Sequence, residues 1–175
     1  MKSLKRFIQE KLVIRKNKYY NYFPKTKKEL QDIIKKRIEK EGNESDLNDI
    51  DVSNITDMSR LFEETDFNGD ISNWDVSNVT DMSYMFWGCK KFNQDISNWD
   101  VSKVKTMYSM FRVCRSFNQD ISNWDVSNVT NMYSMFRMCK SFNQDISNWD
   151  VSNVTDNTDM FYACQIEEKY KPKFK

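Results

Sequence analysis

Two series of aspartates and one series of cysteines are the residues of this sequence that could carry chemistry. Each series recurs at 25-residue intervals. Paired carboxylates can serve as acid and base or bind calcium, and cysteines can bind zinc or undergo redox reactions. The aspartates are Asp70, Asp95, Asp120 and Asp145, and Asp75, Asp100, Asp125 and Asp150; the cysteines are Cys89, Cys114, Cys139 and Cys164.

The regular spacing of these residues argues against catalysis. An acid–base pair needs two different environments to separate its pKa values, and identical repeats supply identical environments. The sequence has no histidine, which excludes Ser–His and Cys–His nucleophiles and histidine metal sites. We therefore predict no enzymatic activity, no catalytic, cofactor-binding or metal-binding residues, and no cofactor. The cysteines are expected to be small buried residues, since free cysteine often behaves this way.

A 25-residue repeat must position all of these residues. The unit at 67–91 recurs from Phe92, Phe117 and Phe142, and a degenerate unit begins at Asp46. A fixed period in the range of 20–50 residues is typical of a solenoid, whose units must stack because none can bury its own apolar face. In the last unit Asn157 replaces a methionine, as expected of a capping repeat.

Within one unit the pattern predicts a short helix and a short strand. Met107, Met110, Phe111 and Cys114 follow the N-cap residue Thr106 at the spacing of one helix face. The other half of the unit predicts a parallel strand over residues 94–97, with residues 98–101 as the alternative. The predicted fold is an α/β repeat: a leucine-rich-repeat-type solenoid of about five coils with an N-terminal helical cap.

The phrase FNxDISxWDVSxVTxMxxMFxxC carries a family resemblance over residues 46–164. It resembles the BspA-like leucine-rich-repeat surface proteins, in the subgroup with a lipoprotein-type 25-residue repeat of unknown function. The resemblance implies a right-handed solenoid and, for many members, adhesion or other protein contact at bacterial surfaces. It also implies a cell-surface location.

Charge divides the chain into three segments. Residues 1–45 are basic, with 14 Lys/Arg against 6 acids up to residue 44; residues 46–166 are the acidic repeats; residues 167–175 are a basic tail. A capping box at Thr26 and Glu29 and an apolar stripe predict a helix over 26–41, and Leu4, Phe7 and Ile8 suggest another over 3–14. We predict that the basic segment caps the repeats, although a basic amphipathic helix can also bind a membrane or nucleic acid.

Slots that differ between repeats predict a partner-binding surface. They should lie on the outer face of the short helices, where the side chains are aromatic and basic, a composition favoured at interface hot spots. We name this surface the ridge. The ridge comprises Tyr84, Trp87, Lys90, Tyr108, Arg112, Arg115, Tyr133, Arg137, Lys140 and Tyr162.

These observations predict a non-enzymatic protein–protein interaction module with an unidentified protein partner, acting as a monomer. The alternatives are an anionic-surface or nucleic-acid binder, with nucleic acid disfavoured by the interleaved glutamates, and a calcium- or carbohydrate-binding module. No apolar run of 18 residues is present, which predicts no membrane span. The charged start carries no signal sequence, and this observation alone predicts a cytoplasmic location.

Overall fold

The computed structural model describes residues 20–174. Within that range there are two helical elements: helix α1 over Lys27–Glu41 and a 3-10 turn over Glu168–Tyr170. The repeats between them consist of turns, joined by isolated parallel bridges rather than by strands. These bridges link Asp57 to Asp81, Asp81 to Thr106, Thr106 to Asn131, and Asn131 to Asp156.

The predicted α/β leucine-rich-repeat solenoid is therefore wrong. The segment after Thr106 begins as predicted, because the Thr106 hydroxyl accepts the N–H of Tyr108 at 3.3 Å. A helix cannot follow, because Ser109 and Val113 have φ of 52° and 65°, in the left-handed region. The equivalent positions of every other unit have positive φ as well.

The positive φ values turn alternate peptide groups toward the next unit. Tyr84, Phe86 and Gly88 donate their N–H groups to carbonyls of the following unit at 2.8–2.9 Å, while intervening N–H groups close turns within their own unit. Four such bonds join each pair of neighbouring units at this side of the stack. In an α-helix these N–H groups would bond carbonyls of the same helix. On the observed backbone path they bond carbonyls of the next unit instead, and these bonds hold neighbouring units together.

Side chains join the units on the other side of the stack, where neither predicted strand exists. The indole N–H of Trp124 donates to the carbonyl of Ile96, in the preceding unit, at 3.1 Å. The amide of Gln119 donates to the carbonyl of Asn93 at 2.8 Å. These bonds replace a parallel-strand ladder, and they explain why tryptophan, asparagine and glutamine recur at fixed slots.

The core is a set of aromatic columns running along the stack. Phe111 lies 5.5 Å from Phe86 and 5.6 Å from Phe136, measured between ring centres with the rings nearly parallel. Trp99 and Trp124 stack at 6.5 Å with an angle of 2° between their planes. Methionines and cysteines fill the space beside these columns, so the predicted inward-facing residues are correct although the helix is not.

Helix α1 covers the first unit. The predicted helix is confirmed: the Thr26 side chain accepts the N–H of Glu29, and Gly42, with φ of 87°, ends the helix. Leu30 and Ile34 are buried in the common core. The predicted helix over 3–14 lies outside the described residues.

Polar contacts also tie this N-terminal region to the first unit. Tyr22 pairs with Ile50 in a parallel bridge, and the Arg37 guanidinium bonds Asp49 at 2.7 Å. The division of the chain at residues 45 and 166 stays a prediction.

Candidate functional site

The ridge has a row of tyrosines at its centre. Tyr108 lies 4.9 Å from Tyr84 and 4.8 Å from Tyr133, measured between ring centres. Each is half-buried. A hydrogen bond with Tyr84, together with partial burial, raises the pKa of Tyr108 to about 12.

Guanidinium groups lie over aromatic rings beside this row. The Arg112 guanidinium lies 5.8 Å from the centre of the Trp87 ring, and that of Arg137 lies 4.2 Å from the Tyr162 ring. Arg137 also forms an ion pair with Asp159. The Nε atoms of both arginines are buried without a hydrogen-bond partner, which leaves polar groups of the ridge incompletely satisfied.

The prediction that slots that differ between repeats lie on the outer surface was partly wrong. Ser109 and Ser134 share a slot with Tyr84, and we expected all of that slot to be free surface. Both serines are fully buried. Trp87, expected to be exposed, is half-buried, with its ring 5.7 Å from that of Tyr84.

A surface cavity of about 500 Å³ opens next to Trp87. It is lined by Glu64, Asp66, Trp87, Gly88, Lys90, Arg112 and Val113. Gly88 has φ of 76°, and the same slot carries a side chain in every other unit, for example Val113 and Met138. Gly88 packs closely on Glu64, since a Cβ added at Gly88 would lie 3.3 Å from the Glu64 Cγ atom and 3.4 Å from its Cα atom.

A row of exposed cations borders the ridge. Lys90, Arg115 and Lys140 occupy one slot in successive units and are exposed. The neighbouring Lys91 forms an ion pair with Asp66 at 3.2 Å. The ridge therefore combines aromatic surface, two guanidinium groups and a cationic border, and acidic groups lie at its N-terminal end.

Ring contacts link Tyr84, Tyr108 and Tyr133, and Trp87, Lys90 and Arg112 line one cavity, although no helix carries these residues. The assignment of the ten ridge residues to a partner-binding surface stays a prediction. Sequence reasoning missed Arg60, whose guanidinium lies 4.0 Å from the centre of the Tyr84 ring. It also missed Gly88, Glu64 and Asp66. Arg60 shares the slot of Tyr84, so alignment of the degenerate first unit could have found it.

The aspartate series act within turns. The Asp100 carboxylate accepts the Ser102 hydroxyl at 2.6 Å and the Ser102 N–H at 3.1 Å. These hydrogen bonds lower the pKa of Asp100 below its ordinary value. Among the described residues there is no group of three or more His, Cys, Asp or Glu that could hold a metal ion.

The cysteines line the core and are not disulfide-bonded. The Cys114 thiol donates to the carbonyl of Phe86 at 2.8 Å, and Cys139 makes the same bond to Phe111. Burial raises the pKa of both thiols well above the ordinary value. A high pKa disfavours the reactive thiolate form of Cys114 and Cys139. Cys164 differs from them because it is only half-buried.

Comparison with known families gives one match. A family model described as "Mycoplasma protein of unknown function, DUF285" matches residues 28–132 and 99–169. No curated protein and no solved structure matches the chain. The match covers α1 and the repeats and supports a relationship to BspA-like repeat-associated proteins, without identifying the leucine-rich subgroup. Helices within the described residues are too short or too polar to cross a bilayer.

Proposed function

We propose a protein-binding role for this chain, which belongs to the DUF285 family of Mycoplasma proteins, a family of unknown function. One observation carries the proposal: Arg112 and Arg137 of the ridge lie over aromatic rings that remain partly exposed. Tyr162 exposes 57% of its surface. Tyrosine, tryptophan and arginine are the residues most enriched at interface hot spots.

The chemistry of the ridge favours a protein over a small molecule. The cavity beside Trp87 is half-open and bordered by charges of both signs, whereas small-molecule sites are mostly apolar. Arg112 and Arg137 can donate to carboxylates or backbone carbonyls of a partner. The aromatic faces can pack against apolar side chains of the same partner.

The resemblance to BspA-like proteins adds an adhesion-related role to this proposal. If the protein acts in adhesion, we expect it at the cell surface. If its partner is intracellular, we expect it in the cytoplasm. Fractionation of the native cells, followed by detection of the protein in each fraction, distinguishes these two versions of the proposal.

The ridge is tested by comparative capture with matched variants. Wild-type protein, Trp87→Ala/Arg112→Ala and Lys103→Ala are immobilised and exposed to extracts of native cells. Lys103 is exposed and bonds Asn78 on another side of the unit, so its variant removes a positive charge away from the ridge. We expect at least about a tenfold loss of affinity for the captured protein in the ridge variant. Equal binding by all three proteins would contradict the proposal.

Salt dependence separates this proposal from binding to anionic surfaces. Affinity for a polyanion falls steeply as salt rises, because bound counterions are released. The complex formed by the ridge should weaken only modestly between about 50 mM and 200 mM salt, measured by calorimetry with the purified partner. A steep linear dependence of log affinity on log salt would favour the anionic-surface alternative.

A further inference from the structure

Four cations of the ridge lack the acidic or amide partners that the other cations of the repeats have. Residues 46–166 contain nine Lys and Arg side chains. Five of them bond a carboxylate or a side-chain amide: Arg60, Lys91, Lys103, Lys105 and Arg137. No described side chain forms an ion pair or hydrogen bond with the charged group of the other four, which are Lys90, Arg112, Arg115 and Lys140. All four belong to the ridge.

Backbone hydrogen bonds hold these cations in register along the stack. The N–H of Gly88 donates to the carbonyl of Arg112, and the N–H of Val113 donates to that of Arg137, both at 2.9 Å. Equivalent slots of successive units therefore follow one another in columns. One cationic column contains Arg112 and Arg137, and a second contains Lys90, Arg115 and Lys140.

An apolar slot separates the two cationic slots in the chain. Val113 follows Arg112 and precedes Arg115, and Met138 holds the same slot in the next unit. Val113 and Met138 are both half-buried. Val113 lines the cavity beside Trp87 together with Arg112 and Lys90. The ridge thus presents partly exposed apolar side chains next to unpaired positive charge.

Acidic side chains limit this cationic surface at both ends. Asp66, in the first unit, pairs with Lys91, and Asp159, in the last unit, pairs with Arg137. Glu64 lines the cavity beside Trp87, and its carboxylate has no ion-pair partner among the described residues. Four unpaired cations therefore lie beside one unpaired acid, so the surface keeps a net positive charge over the three units between these ends.

The limited extent of the positive charge favours a short acidic polypeptide over a long polyanion. A nucleic acid or an anionic membrane would extend past Lys90 and Lys140 and would approach the acids of the first and last units, where like charges repel. A phosphate backbone also offers no apolar group to Val113 and Met138. A polypeptide can carry acidic and apolar side chains at the spacing that this surface requires.

The spacing of the units fits a helix that lies along the stack. Within and directly beneath the ridge, ring centres of successive units are 4.8 Å apart for Tyr108 and Tyr133, and 5.6 Å apart for Phe111 and Phe136. An α-helix advances about 5.4 Å per turn, whereas side chains on one face of a strand recur at about 6.6 Å. A helix in this orientation therefore places one turn against each unit.

We propose that the ridge binds an amphipathic helix of its protein partner, in which an apolar stripe is flanked on both sides by Asp or Glu. This inference rests on the protein-binding role proposed above and names the chemistry of the partner. The apolar stripe packs on Val113 and Met138. Its acidic side chains pair with Arg112 on one side and, on the other, with Lys90, Arg115 and Lys140.

The test uses the full chain and two synthetic peptides of about 18 residues, which is above the length limit for isolated helices. The first peptide carries a leucine stripe flanked on both sides by glutamates. The second has the same composition, with its glutamates on the face opposite the leucines. Circular dichroism checks that their helix contents match, and NMR titration measures both affinities. We expect the first peptide to shift the signals of Val113 and Met138 and to bind at least about fivefold more tightly than the second.

Two matched variants test the role of the unpaired cations. Arg115→Gln/Lys140→Gln removes two charges from the ridge, and Lys103→Gln/Lys105→Gln removes two charges that already bond side-chain amides. The ridge variant should bind the first peptide at least about fivefold more weakly, and the control variant should stay within about twofold of the wild type. Equal losses in the two variants, equal affinity for the two peptides, or no binding at about 1 mM peptide would each overturn the proposal.

Two further outcomes separate this inference from its alternatives. A single-stranded DNA oligonucleotide that binds more tightly than the first peptide, with a steep salt dependence, would assign the surface to nucleic acid and overturn the proposal. In the capture experiment, retention of the native partner by Arg115→Gln/Lys140→Gln, with its loss by Trp87→Ala/Arg112→Ala, would rule out the acidic helix and leave the protein-binding role intact. Retention by both variants would contradict that role as well.

Discussion

Trp124 and Trp87 show how differently the same residue type acts at two slots. Trp124 is buried within a column of tryptophans, 6.5 Å from its neighbours on both sides, and donates to the Ile96 carbonyl. Trp87 is half-buried on the ridge and contacts Tyr84. The first position is fixed by packing and by one hydrogen bond, whereas the second can vary between units.

We expect Trp124→Ala to lower the free energy of unfolding by about 3–5 kcal/mol, because it leaves a large cavity and an unpaired carbonyl. Trp87→Ala should cost about 1 kcal/mol, since its slot holds Arg112 and Arg137 in other units. Urea denaturation followed by circular dichroism measures both values. Equal losses would mean that the core and the ridge have been assigned to the wrong faces.

The turn formed by each aspartate and the serine two residues later is the element that recurs most often. Asp95, Asp100 and Asp120 each accept hydrogen bonds from such a serine, and these bonds lower the pKa of each carboxyl below its ordinary value of 3.8. In the unfolded chain the carboxyls have lost these bonds and bind protons more readily. Stability is therefore fully present above about pH 4 and is lost as the pH falls through the folded-state pKa values.

We expect the melting temperature to fall steadily as the pH is lowered from 5 to about 2. The matched control is Asp95→Asn/Asp100→Asn/Asp120→Asn, which keeps a side-chain oxygen for each turn but removes the titration. Asn131 shows that asparagine can form this turn, since its side chain accepts the N–H of Tyr133 at 2.9 Å. An equally steep acid dependence in the triple variant would rule out these aspartates as its cause.

The inward-facing residues could be predicted from the sequence, but the backbone path could not. Met107, Met110, Phe111 and Cys114 are all buried, as their helical spacing predicts. The spacing reports only which side chains share a face, and two turns with positive φ at Ser109 and Val113 give the same face. Such φ values in non-glycine residues cost about 1–2 kcal/mol each. Hydrogen bonds to the neighbouring unit offset this cost, so the sequence of a single unit does not reveal that these residues adopt positive φ.

The candidate site was predictable in composition and not in detail. Variation between units identified Arg112, Arg137 and Tyr162, because slots that packing fixes cannot vary. It failed for Ser109, which is buried, since variation shows that a slot tolerates different sizes and not that it is exposed. The cavity beside Trp87 is lined by residues of three units, for example Glu64, Lys90 and Arg112, and the pattern within one unit does not reveal how they meet.

At the scale of the whole molecule, the stack has two unlike ends. Helix α1 covers the first unit through buried Leu30 and Ile34 and through the Lys27–Asp57 ion pair. The last unit is covered only in part, by residues of the tail such as Ile166. The two ends of the stack therefore differ in the elements that cover their core residues.

We expect deletion of residues 1–44 to destabilise the stack from its N-terminal end. Loss of α1 exposes the first unit, whose core residues are now buried: Leu47, Ile50, Ile55, Met58 and Leu61. Exposed apolar surface of this size favours aggregation, and stacked repeats require polar capping units for solubility.

Expression of residues 45–175, followed by measurements of solubility, melting temperature and sedimentation, tests this expectation. The matched control is Leu30→Asn/Ile34→Asn in the full chain, which leaves the charge of α1 unchanged but disfavours its burial. Both proteins should melt at lower temperature and associate. If α1 served instead to bind membranes or nucleic acid, residues 45–175 would form a stable monomer with an unchanged melting temperature and would lose only binding to anionic ligands. That result would contradict the capping role.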